Sequence, residues 1–111
     1  MKKTTLSFLL LFTVIILHAQ QLKVEPAFWW SGMKEPELQL MIYGKNIADY
    51  KPTLTSKEIY LKEVVSLESP NYLLLYLDIS NSKPEKFDIV FTNGKKKITI
   101  PYELKQRDPS R

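Results

Sequence analysis

An all-β fold, two layers of short strands packed face to face, follows from three features of the sequence. Beyond the first 20 residues the apolar positions recur with a period of two, as half-buried strands require when successive side chains leave opposite faces. Turn-forming residues interrupt that pattern roughly every 8–12 residues. A chain of 111 residues holds one domain and leaves no room for a second core. Together these describe an immunoglobulin-like β-sandwich of about seven strands, with a small closed barrel as the competing architecture. The chain is 44% hydrophobic and 25% charged, which is ordinary for a packed domain and far from the composition of a disordered one.

Before the strands comes a leader. Lys2 and Lys3 precede an apolar run from Leu6 to Leu17 and then the small residue Ala19, the order of a cleavable secretory signal peptide over residues 1–19. The run is too short for a spanning helix, which needs about 20 apolar residues. The expectation is an exported protein, periplasmic or extracellular, with no membrane contact after cleavage. The domain itself occupies residues 21–104.

Leu22 and Val24 open a first strand, which Pro26 ends or confines to a sheet edge because proline has no N–H for the ladder. Phe28, Trp29 and Trp30 follow, with Ser31 and Gly32 as a turn. From Glu37 to Tyr43 the alternation is clean: Leu38, Leu40 and Ile42 face the core, while Gln39, Met41 and Tyr43 face away. Gly44 closes this strand. Lys45 to Lys51 reads as a loop, polar apart from Ile47 and Tyr50, and a short edge strand after Pro52 has Leu54 as its apolar anchor.

Between Glu58 and Leu67 one face carries Ile59, Leu61, Val65 and Leu67 and the other Tyr60, Lys62 and Val64, with Glu63 breaking the first and marking a bulge. Pro70 and Asn71 turn the chain into Tyr72–Ile79, where Leu73, Leu75, Leu77 and Ile79 form the longest apolar face and so the best central strand. Phe87, Ile89 and Phe91 line the next strand. Asn93-Gly94 then predicts a two-residue type I′ hairpin turn, since both residues tolerate positive φ. The returning strand carries Ile98, Ile100, Tyr102 and Leu104, and the polar tail from 105 to 111 reads as a linker.

The chemistry available to such a chain is narrow. Its one histidine, His18, lies in the leader, so the mature domain has no imidazole for acid–base or triad catalysis. There is no cysteine, which excludes disulfides, thiolate metal sites and lipidation at a processed cysteine. Gly32, Gly44 and Gly94 are too scattered for a phosphate loop. Removing Lys2 and Lys3 leaves 14 basic residues against 12 acidic, a balance that points away from nucleic acid. Glu35 and Glu37 read as solvated charges at a turn rather than a glycosidase pair. No cofactor, metal or catalytic residue is expected.

The remaining candidates are aromatic: Trp29, Trp30, Tyr43, Tyr50, Tyr60, Tyr72 and Tyr76. An exposed ring stacks on the C–H face of a sugar while nearby polar groups take its hydroxyls, so the tryptophan pair is either a glycan platform or packing surface. Neighbouring residues in an extended segment point to opposite sides, so one tryptophan packs inward and the other reaches a contact surface.

The segment VEPAFWWSGMKEPELQLMIYGKNI resembles the N-terminal domain of the cyclomaltodextrinase and neopullulanase branch of the alpha-amylase family, particularly exported enzymes of Bacteroidetes-type bacteria. The likeness continues through SPNYLLLYLDIS and KKKITIPYELKQR. The resemblance implies an early-set, immunoglobulin-like sandwich without catalytic carboxylates, preceding a (β/α)8 barrel that cleaves the O-glycosyl bonds of starch or maltodextrin. It implies packing on that barrel, in cis or in trans, and in dimers a contribution to the wall of the substrate cleft, with maltodextrin or cyclodextrin as the sugar. A barrel takes about 250 residues and none is encoded here, so the chain is expected to be a truncated or split product or part of a longer enzyme. Carbohydrate or domain-contact candidates are Trp29, Trp30, Met33, Tyr43 and Tyr72. A free-standing glycan-binding module and a structural or adhesion sandwich of an exported complex are the alternatives.

Overall fold

A computed structural model describes residues 21–107, so the expected leader over 1–19 lies outside the described residues, as do the last four positions of the tail. Among the described residues there are eight strands: β1 (Lys23–Glu25), β2 (Trp29–Trp30), β3 (Glu37–Tyr43), β4 (Lys51–Leu54), β5 (Tyr60–Ser66), β6 (Tyr72–Asp78), β7 (Glu85–Asn93) and β8 (Lys96–Lys105). They form two four-stranded sheets, β1-β3-β6-β5 and β2-β8-β7-β4. The all-β sandwich expected from the alternation is the observed fold. The strand beyond the expected seven is the tryptophan pair itself, and the tail loses Lys105, which is still part of β8.

Alternation decides the core. Leu40 and Ile42 of β3, Leu75 and Leu77 of β6, and Ile89 and Phe91 of β7 are fully buried between the sheets. Each aliphatic side chain so buried contributes about 1.5–3 kcal/mol. As its apolar face predicts, β6 is central, paired with β3 on one side and β5 on the other.

Four local expectations are corrected. Ile47, one of two apolar exceptions in a segment read as an irregular loop, is fully buried on a 3-10 turn spanning Ile47–Asp49. On β4, at its sheet edge as expected, Pro52 is buried and anchors the strand more deeply than half-buried Leu54. The hairpin turns one residue later than predicted: Asn93 pairs with Lys96, and Gly94 (φ 59) is the first central residue, with Lys95 the second. Positive φ at the first central position alone belongs to a type II′ turn, which needs glycine only there. Finally, the bulge in β5 falls between Leu61 and Glu63, and its extra residue reverses the phase beyond it. By register Val64 therefore falls opposite core-facing Leu75 and Val65 opposite outward Leu74, the reverse of plain alternation. At this sheet edge Val64 nevertheless stays 40% exposed, and Val65 is the more covered of the two.

The two outer surfaces differ. Across β7 and β8 the outward pairs are Lys86 with Glu103, Asp88 with Pro101, Val90 with Thr99 and Thr92 with Lys97, a polar face. Across the first sheet the outward rows run Lys23, Tyr43, Tyr72, then Glu25, Met41, Leu74, Val65, then Gln39, Tyr76, Glu63, and last Glu37, Asp78, Tyr60, a face where aromatic and aliphatic side chains are mixed with charged ones.

Candidate functional site

Two aromatic groups stand out, at opposite ends of the strands. The first is built on β2. The Glu25–Pro26 peptide is cis, and the Pro26 carbonyl accepts a 2.9 Å hydrogen bond from the Tyr102 hydroxyl. This bond crosses from the first sheet's trailing loop to β8. Burial pushes the Tyr102 phenol well above its ordinary pKa, so it stays a donor under ordinary conditions. The chain then runs parallel to the end of β8, Trp29 opposite Leu104 and Trp30 opposite Lys105. The Ser31 N–H donates to the Lys105 carbonyl at 3.0 Å, and Gly32 (φ 72) turns the chain away.

That register sorts the tryptophans. Leu104 is buried, so Trp29 faces inward and packs against the core, while Trp30 goes with exposed Lys105. Trp30 is flanked by Trp29, with centroids 5.3 Å apart and planes tilted 57°, and by Phe28, edge-on at 5.3 Å. The Lys105 ammonium lies 4.0 Å from the Phe28 ring centroid, a cation–π contact. Beside them Ala27, Phe28, Lys86, Glu103 and Lys105 border a hollow of about 370 Å³. Met33 is half-buried in the turn that follows, outside these ring contacts.

The second group is the cross-strand pair Tyr43 and Tyr72, rings 5.0 Å apart and inclined at 53° on the outer face of the first sheet. Tyr43 is 45% exposed and Tyr72 partly so. Lys23, Glu25 and Met41 complete a hollow of about 220 Å³ around them. The backbone beneath is fixed: Gly44 N–H donates to the Asn71 carbonyl (3.0 Å), Asn46 N–H to the Asn71 side chain (2.9 Å) and Ala48 N–H to the Pro70 carbonyl (3.0 Å). A Cβ at Gly44 would meet the tip of the half-exposed Leu22 side chain, which would have to swing aside.

Of the five sequence candidates, the fold thus joins Trp29 to Trp30 and Tyr43 to Tyr72, but does not bring the two pairs together. Phe28 and Lys105 at one end and Lys23, Glu25 and Met41 at the other were not singled out. Alternation about inward Val24 points Lys23 and Glu25 outward, but their meeting with Tyr43 depends on the β1–β3 register. The carboxylates Glu35 and Glu37 are exposed, and Glu37 pairs with Lys62 at 2.8 Å. Among the described residues no group of three or more His, Cys, Asp or Glu side chains could hold a metal ion.

The family model for the N-terminal domain of cyclomaltodextrinase matches residues 23–108, from the first residue of β1 to three residues past β8. The match takes in both sheets and both aromatic groups. The chain belongs to the cyclomaltodextrinase N-terminal domain family, the non-catalytic accessory domain of an alpha-amylase-family glycoside hydrolase.

Proposed function

We propose that this chain serves a starch- or maltodextrin-cleaving hydrolase of the cyclomaltodextrinase or neopullulanase type, docking on its catalytic barrel through the Phe28–Trp30 end. The observation that carries this is Trp30 and Phe28 standing at the surface where β8 leaves the sandwich, fixed there by Trp29, Ser31 and Lys105. Aromatic residues of this kind are the anchors of protein interfaces, and a rigid backbone beneath them lowers the ordering cost of association. In a chain that continues from β8 into a barrel, the barrel begins beside this cluster. Docked there, the domain walls part of the substrate cleft while the barrel supplies the carboxylates. The basic, apolar and small-residue order of the leader supports an exported protein working in the periplasm or outside the cell.

The test is association in trans. Sedimentation of the 111-residue chain with a cyclomaltodextrinase barrel lacking its own N-terminal domain should show a complex. Trp30→Ala should weaken it about tenfold or more, as expected for an interface anchor. No complex, or one indifferent to Trp30→Ala and Phe28→Ala, would overturn the docking surface, and hydrolysis of maltoheptaose by the chain alone would overturn its non-catalytic role.

A further inference from the structure

We infer that the end of the sandwich carrying the β7–β8 hairpin, opposite the Phe28–Trp30 end, is a basic surface that seats on an anionic phospholipid bilayer. Three connections meet there: the β3–β4 link with its 3-10 turn, the β5–β6 turn and the β7–β8 hairpin. Gly44 and Ala48 donate to the carbonyls of Asn71 and Pro70, which ties the first two together. Lys51 of β4 lies opposite Thr92, and Thr92 opposite Lys97, which brings in the third. The fold thereby gathers Lys45, Lys51, Lys95, Lys96 and Lys97, all exposed, against two carboxylates, Asp49 and Glu68. Over the rest of residues 21–107 eight basic residues face nine acidic ones. The near-balance of the whole domain hides a separation of charge along its length, and a patch of one sign attracts an opposite surface at low ionic strength.

A run of lysines at a turn is ordinarily a solvated tip. Two observations favour a bilayer here. Among the described residues Lys51, Lys95, Lys96 and Lys97 have no carboxylate within ion-pair reach. Apolar groups also stand at the same end: Leu67, leading into the β5–β6 turn, is 40% exposed, and Tyr43, the last residue of β3, is 45% exposed. A headgroup layer offers phosphates to the ammonium groups and, just beneath, an apolar region to Leu67 and the Tyr43 ring, whereas a soluble polyanion offers only the first. The expected absence of membrane contact after cleavage rested on losing the leader; the folded domain supplies a separate contact. This end points away from the proposed barrel contact, so the failure of either leaves the other standing.

The experiment is co-sedimentation of the 111-residue chain with vesicles of phosphatidylcholine, alone or mixed equally with phosphatidylglycerol. A lysine near such a surface is worth about fivefold in affinity, so Lys95→Gln, Lys96→Gln and Lys97→Gln together should weaken binding to the anionic vesicles about a hundredfold. Lys34→Gln, Lys57→Gln and Lys83→Gln together remove the same charge away from this end and should leave binding unchanged. The difference between the two variants should vanish at about 1 M salt, where the screening length is about 3 Å. The leader is common to both, and all six lysines are exposed, so the contrast reports the folded surface rather than leader insertion or loss of fold. Equal binding of the two variants to anionic vesicles at low salt would overturn the proposal, as would an equal difference on neutral ones. Retention on dextran sulfate with none on anionic vesicles would overturn it too, assigning the lysines to a soluble polyanion.

Discussion

Trp29 and Tyr43 are both aromatic residues at a strand terminus, yet one is tied into the core and the other rests on a sheet. Trp29 lies opposite buried Leu104 and packs on the interior, dragging Trp30 and Phe28 into an ordered surface cluster. Tyr43 lies opposite Tyr72 and Lys23 on an outer face, with nearly half its surface open. The difference is one of parity. A one-residue change of register would send each to the other side, because side chains alternate along a strand. An aromatic residue therefore declares itself structural or available only through the partner it is paired with.

The largest effect should come from the anchored member. Trp29→Ala should lower unfolding free energy by about 2–3 kcal/mol, below the 3–5 of a fully buried aromatic because Trp29 is only half-buried. Urea denaturation monitored by far-UV circular dichroism measures it. A loss below about 0.5 kcal/mol would mean that the cluster is not tied to the core, and the contrast with Tyr43 would fail.

At the tyrosine end stability should depend on the backbone rather than the rings. Gly44→Ala pushes a Cβ against the tip of the half-exposed Leu22 side chain and should cost about 1 kcal/mol by the same measurement, the low end of overpacking because that tip can swing aside. That cost exceeding the cost of removing either tyrosine ring would sharpen the comparison.

Next in size is the Tyr102 hydroxyl, which holds the Pro26 carbonyl at the approach to β2. Tyr102→Phe removes the donor and should cost about 1 kcal/mol, the net value of one hydrogen bond with its acceptor left unmet. Its pH signature has a definite sign. Burial raises the phenol pKa in the folded state above its unfolded value near 10, so the folded protein holds the proton longer. The native wild type should be destabilised as pH rises above about 10, and Tyr102→Phe should flatten that alkaline limb. An identical alkaline limb in both proteins would remove Tyr102 as its source.

Much of this architecture was legible in the residues. The faces of β3, β6 and β7 follow from uninterrupted alternation of Leu38–Ile42, Leu73–Ile79 and Phe87–Phe91, where burial on one side leaves a single workable register. Where alternation breaks, the reading fails for physical reasons. Glu63 signals a bulge, but only the pairing of β5 with β6 shows where the register shifts, and so which partners Val64 and Val65 take across the sheet. Ile47 escapes because a 3-10 turn has no strand period, and Asn93-Gly94 misleads because glycine serves either central position of a primed turn. The site divides the same way: Trp29, Trp30, Tyr43 and Tyr72 are visible as residue types, whereas Lys105 over Phe28 and Lys23 beside Tyr43 come from contacts between segments far apart in sequence.

The smallest expected change bears most directly on the surface tyrosine. Tyr43→Ala removes a ring that is 45% exposed and touches Tyr72 on the sheet's outer face rather than in the core. Its unfolding free energy should stay within about 0.5 kcal/mol of wild type, as for surface positions without a special backbone or polar role. A cross-strand aromatic pair contributes at most about 1 kcal/mol, which bounds the deviation. If the urea midpoint instead fell as far as in Trp29→Ala, the tyrosine pair would be a structural brace, and both ends of the sandwich would use their aromatic residues alike. An unchanged midpoint instead leaves the Tyr43 ring resting on the sheet without supporting it, and the two ends of the sandwich stay distinct.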